Sequence, residues 1–73
     1  MQADNPYFYD ISIGKKICLK RKMIGMSQKE LANQLGIVSQ QIQNYEKGLN
    51  RVSAGRLKEI ADILNVLISF FLC

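Results

Sequence analysis

Residues 27–48 read SQKELANQLGIVSQQIQNYEKG, and this stretch decides the fold. Ser27 can accept a hydrogen bond from an N–H at a helix start. Glu30, three positions on, can reach back to the serine's own N–H. This S-x-x-E spacing predicts a short helix over residues 28–35. Leu31, Ala32 and Leu35 fall on one narrow apolar stripe of it. Gly36 follows, and a glycine takes the positive φ that ends a helix. A second short helix is expected to run to Lys47, stopped by Gly48. Ile42 and Tyr45 face inward on it together with Val38, leaving Gln40, Gln41, Gln43 and Asn44 outward. Ala32 is small where the two helices would cross. Leu31, Leu35, Ile42 and Tyr45 tie the pair to the rest of the chain.

The flanks continue the helical pattern. Upstream, Asp10 or Ser12 is expected to cap a first helix whose apolar face is Ile13, Ile17 and Ile24, with Leu19 or Arg21 between. Gly25 is its expected stop, and Lys20, Arg21 and Lys22 suit the negative end of its dipole. Downstream, Ser53 caps a fourth helix. Leu57, Ile60, Ala61 and Leu64 fit the i, i+3, i+4, i+7 pattern, and Asn65 can end it. Ser69 is expected to cap a final turn carrying Phe70, Phe71 and Leu72. Residues 1–10, with Pro6 and the Tyr7-Phe8-Tyr9 cluster, read as an irregular arm ahead of one domain over residues 11–73. The expected fold is all-α, with five short helices and no strand.

Composition excludes several function classes. A chain of 73 residues has room for one core and no second domain. There is no histidine, which removes most general-base and metal-hydrolase chemistry. Cys18 and Cys73 have no metal-ligand spacing and make no disulfide framework, so free thiols in a reducing cytoplasm are expected, with no metal and no cofactor. No nucleotide loop and no paired carboxylates point to an enzyme. No secretory signal is visible, and the apolar stretch over residues 60–73 is too short to span a bilayer. The formal net charge of +4 hints at an anionic partner. A membrane surface is the weaker reading, because Ile13, Ile17 and Ile24 are assigned to the core and leave no free apolar face. Nucleic acid is the better one. An uncharged, amide-rich helix face offers donors and acceptors that match an adenine edge in the major groove.

The chain resembles the helix-turn-helix family of the Cro and lambdoid phage repressor type, often called the XRE family, and is most similar to a subset of small regulators of alphaproteobacteria. Ser27, Gln28, Leu31, Ala32, Leu35 and Gly36, followed by Ile42, Glu46 and Gly48, match the family pattern S-Q-x-x-L-A-x-x-L-G and I-x-x-x-E-x-G. The resemblance extends over about residues 11–72. It implies a five-helix, lambda-repressor-like DNA-binding domain whose recognition helix covers about residues 39–47.

The resemblance also implies roles at the matching positions. Ser39, Gln40, Gln43 and Asn44 would read bases. Ser27, Gln28, Gln41, Lys47, Asn50 and Arg51 would contact the phosphate backbone, Gln28 also bracing the recognition helix. Arg21 and Glu46 would form a structural ion pair between the first and third helices. The expected function is a sequence-specific transcriptional regulator in the bacterial cytoplasm, a repressor on a pseudo-palindromic operator, acting on double-stranded DNA as a homodimer. The dimer contact would lie in the C-terminal helices at Phe70, Phe71 and Leu72. An antitoxin of the same fold, holding a toxin and autoregulating its operon, is the alternative. Two positions depart from the family. Val38 stands where a Ser or Thr cap is usual, so either Ser39 caps a helix one residue shorter or the helix begins uncapped. Leu67 replaces a common proline before the last helix. The chain ends at Cys73 inside what the resemblance makes a fifth helix, which leaves a longer parent protein open.

Overall fold

The structure is a computed structural model and describes residues 8–72, with side chains from residue 10 onward. These residues form five helices and no strand: α1 (Phe8–Met23), α2 (Gln28–Leu35), α3 (Ser39–Lys47), α4 (Ala54–Leu64) and α5 (Ser69–Leu72). Most of the proposed N-terminal arm, with Tyr7 in its aromatic cluster, lies outside the described residues, as does Cys73.

The local signals around the turn act as their chemistry requires. The Ser27 side chain accepts from Glu30 N at 3.0 Å, and Glu30 Oε1 accepts from Ser27 N at 2.8 Å. The bond from the Ser27 backbone foremost, and then the Ser27 side chain, hold the Glu30 carboxyl below its ordinary range. Gly36 closes α2 in the left-handed region at φ +73, and Ile37 N donates back to Ala32 O at 3.0 Å. Asn65 ends α4 at φ +60, in the same region. Ser53 caps α4 by accepting from Arg56 N at 3.1 Å.

The core joins all five helices. Ile17, Leu31, Ala32, Ile42, Tyr45, Val52, Leu57, Ile60, Ala61, Leu64 and Phe71 are buried together. Each fully buried Leu, Ile or Phe side chain among them contributes about 1.5–3 kcal/mol, and each alanine less. α3 sits between α1 and α2, so its orientation is fixed from two sides.

Several expectations are corrected. α1 begins at Phe8, earlier than Asp10 or Ser12. Asp10 lies in its first turn, where a carboxylate suits the positive end of the dipole. The buried line of α1 is Ile17 and Arg21 with half-buried Ile13. Ile24 falls beyond the helix end and is exposed, as is Leu19. Val38 does not face inward; it is 70% exposed, because the inward arc of α3 is filled by Ile42 and Tyr45 one turn later. Ser69 is the first residue of α5 rather than a residue ahead of it. Phe71 is 1% exposed and belongs to the core, so it is not a surface for a partner. It meets Phe70 edge to face, with ring centroids 5.2 Å apart.

Candidate nucleic-acid interface

The candidate surface is the outward side of α3. Gln40, Gln43, Asn44 and Lys47 stand at i, i+3, i+4 and i+7 and so share one helix face. Gln40 and Lys47 are exposed; Gln43, Asn44 and Ser39 are half-buried at the flanks. Gln40 Nε2 donates to Asn44 Oδ1 at 3.2 Å. That bond aligns the two amides along the helix and leaves the Gln40 carbonyl oxygen and the second N–H groups for an outside partner.

Val38 is the N-cap of α3 and makes no side-chain cap bond. The helix therefore begins uncapped, at a cost of about 1 kcal/mol relative to Ser or Thr. Ser39, as its first helical residue, does not act as the cap. Gly48 ends α3 in the left-handed region at φ +75, with Leu49 N donating to Asn44 O at 2.9 Å.

The back of α3 is held by charge. Arg21 Nε donates to Glu46 Oε2 at 2.7 Å, and Arg21 Nη2 donates to Glu46 Oε1 at 3.0 Å. Arg21 Nη1 donates to Met26 O at 2.9 Å, and Gln28 Nε2 adds a bond to Glu46 Oε1 at 3.0 Å. Burial opposes ionisation of Glu46, but the hydrogen bonds and charge of Arg21, with the Gln28 amide, hold its carboxyl below the ordinary range. The same Glu46 bond raises Arg21. Glu46 is the single acid of α3. Because it is turned inward and neutralised, the outward face carries only amides, a hydroxyl and Lys47.

The structure places the other expected contact residues more variously. Gln28 is engaged with Glu46, which makes it a brace for α3. Gln41 turns aside and donates to the Tyr45 hydroxyl at 3.1 Å. The Ser27 oxygen is occupied as a cap acceptor. Asn50 is half-buried in the turn after α3, its N–H 3.4 Å from Asn44 O. Arg51 is exposed, with Nε 3.7 Å from Asp10 Oδ2. Among the described residues no three His, Cys, Asp or Glu side chains come together as a metal-ligand set.

Two positioning residues were not singled out from sequence. Gly14 is buried where α1 crosses the end of α3, and a Cβ there would overlap Tyr45 O and lie 2.8 Å from Glu46 O. A glycine inside a helical run is the signal that could have found it. Arg56 reaches from α4 to Leu35 O, 3.4 Å away, and places a cation at the C-terminus of α2. No sequence spacing marks that contact.

Comparison with known proteins agrees with this geometry. The helix-turn-helix family model matches residues 19–71. An uncharacterised HTH-type transcriptional regulator of Sinorhizobium medicae is 60% identical over 62 residues, which are 85% of this chain and 45% of that protein. The chain thus spans less than half the length of that relative. SinR, a master regulator for biofilm formation solved in complex with DNA, superposes with a TM-score of 0.77 at 29% identity, over 84% of this chain and 98% of that one. The clp gene regulator ClgR from C. glutamicum shares the fold, with a TM-score of 0.83 at 20% identity, over 88% of this chain and 83% of that one.

Proposed function

The chain belongs to the helix-turn-helix family of the Cro and lambdoid phage repressor type, and on that premise we propose that it is a sequence-specific DNA-binding regulator of transcription, acting as a repressor. α3 enters the major groove. Ser39, Gln40, Gln43 and Asn44 meet base edges, where an amide can pair with both the N6 and N7 of adenine. Ser27, Gln28, Lys47, Asn50 and Arg51 lie toward the phosphates, with Gln41 at the margin. Phosphate contacts set register and supply much of the affinity, while base contacts specify. No bond is made or broken. Repression follows from occupying promoter DNA.

One observation carries this reading: the outward face of α3 is a contiguous set of amides with a single cation, and the helix's own acid is buried in an ion pair behind it. With that carboxylate turned away, the face presents no negative charge to the phosphates it would approach. A homodimer would place two such helices in successive major grooves about 34 Å apart. The apolar surface for it is Leu67 and Leu72 with half-buried Phe70, since Phe71 is taken by the core.

Selection of bound duplexes from a random library by the purified protein tests the reading. The expected result is an enriched pseudo-palindrome with half-sites one helical turn apart, bound more weakly as salt rises. Binding that follows salt alone, with no enriched sequence, overturns it.

A further inference from the structure

We propose that Val38 is a specificity residue whose isopropyl group packs against the C5-methyl of a thymine in the major groove, beside the base read by Gln40. The inference rests on the reading of α3 as a recognition helix and adds to it a base that no hydrogen-bonding side chain selects.

Val38 holds the N-cap with extended backbone, φ −83 and ψ 151, and forms no cap bond. An oxygen-bearing side chain there would satisfy an N–H of the first turn. Valine gives up that bond and gains no burial in return, since it is 70% exposed while Ile42, four residues on, is fully covered. A residue that breaks a local rule without a gain inside its own fold points to a role outside it.

The position says what that role is. The first residues of a groove-bound helix are the ones that reach base edges. Val38 directly precedes Ser39 and stands two residues before Gln40, at the N-terminus of α3. The other exposed aliphatics of the described residues lie elsewhere: Ile11 and Leu19 on α1, Ile24 just after it, Leu49 beyond the far end of α3, and Leu67 and Leu72 at the α5 end. In the major groove a base pair presents donors, acceptors and one apolar group, the methyl of thymine. A branched hydrocarbon side chain delivered to that groove has one complementary partner.

Replacing each thymine of a selected duplex, one at a time, by deoxyuridine removes the methyl and leaves every hydrogen-bonding group in place. One thymine per half-site should prove sensitive, with affinity falling about fourfold, the worth of one buried methylene at about 0.8 kcal/mol. Val38→Ser restores a cap, so it should fold at least as well as the parent. It should bind thymine and deoxyuridine duplexes equally at that position while keeping its preferences elsewhere. A parent protein indifferent to every substitution, or a V38S variant that keeps the sensitivity, overturns the proposal and leaves base reading by α3 intact. A selection that enriches no sequence removes both together.

Discussion

Arg21 and Glu46 meet in a two-bond pair across 25 positions of sequence, at 2.7 Å and 3.0 Å. The side chains are 9% and 6% exposed. The pair joins the last turns of α1 and α3 and keeps the one carboxylate of α3 off its outward face. Removing one partner strands a buried charge, a loss of about 3–5 kcal/mol. Arg21→Met and Glu46→Leu should each lower the unfolding midpoint sharply in urea. The double substitution should recover much of the loss, because neither charge is then left alone. Equal and additive losses would show that the two residues act independently.

The same pair sets an acid limit. Glu46 is held below the ordinary carboxyl value, about 4.3. A lowered native pKa means that the unfolded state takes up protons first. The stabilisation is fully present above the unfolded value and is lost as pH falls through the native one. Arg21, raised by the same contact, stays charged throughout. Thermal melts between pH 7 and 3 should therefore steepen below about pH 5. Glu46→Gln should flatten that slope. Glu30→Gln should flatten it less, since its carboxylate bonds only the exposed Ser27 cap and a glutamine at that position can keep the bond.

Gly14 and Gly55 are both helical glycines with opposite surroundings. A Cβ at Gly14 would drive into the carbonyls of Tyr45 and Glu46, whereas a Cβ at Gly55 meets nothing within 4 Å. Gly55→Ala should stabilise the fold by about 0.4–1 kcal/mol through the unfolded chain. Gly14→Ala should destabilise it by about 1–3 kcal/mol, the range for overpacking. Calorimetry of the two variants checks the sign. If both shift the melting temperature upward, the α1–α3 crossing is looser than these distances require.

The absent cap of α3 gives a further test. Val38→Ser should raise stability by about 1 kcal/mol, as a side-chain oxygen at this position satisfies one first-turn N–H. Urea unfolding reads the change. No gain would mean that the first turn of α3 is satisfied without a side-chain cap.

What could be read from sequence was what neighbours in sequence determine. The Ser27–Glu30 box, the glycine after α2, the Asn65 terminator and the buried set Leu57, Ile60, Ala61 and Leu64 are local patterns, and the structure has them. What could not be read depends on which element packs where. Val38 and Ile24 have the composition of core residues but lie where no other helix covers them. Phe71 looked like a surface for a partner and is instead the anchor of α5. Gly14 and Arg56 act on residues more than 20 positions away. The outward amides were legible from helical period. That Gln41 turns to Tyr45 was not, since that amide could equally have faced outward; that Gln28 braces α3 was implied by the family resemblance, and only its partner, Glu46, came from the structure.

Binding, on the proposed reading, should separate into two mutational classes. Gln40 and Asn44 share one hydrogen bond and one face, so on that reading they are assigned to the same few bases. Gln40→Ala or Asn44→Ala should weaken the selected duplex by about 1–3 kcal/mol and leave nonspecific binding nearly unchanged. Lys47 and Arg51 are exposed cations, assigned on that reading to phosphates. Lys47→Ala and Arg51→Ala should weaken all sequences alike and each reduce the slope of log affinity against log salt by about 0.9. The contact of Arg51 to Asp10 is long, at 3.7 Å, and its side chain is exposed, so little stability should be lost with that contact. Anisotropy titrations at three salt concentrations, on the selected duplex and a scrambled one, distinguish the classes. A Lys47→Ala variant that loses the selected sequence but keeps the scrambled one would move Lys47 from the backbone to the base edges.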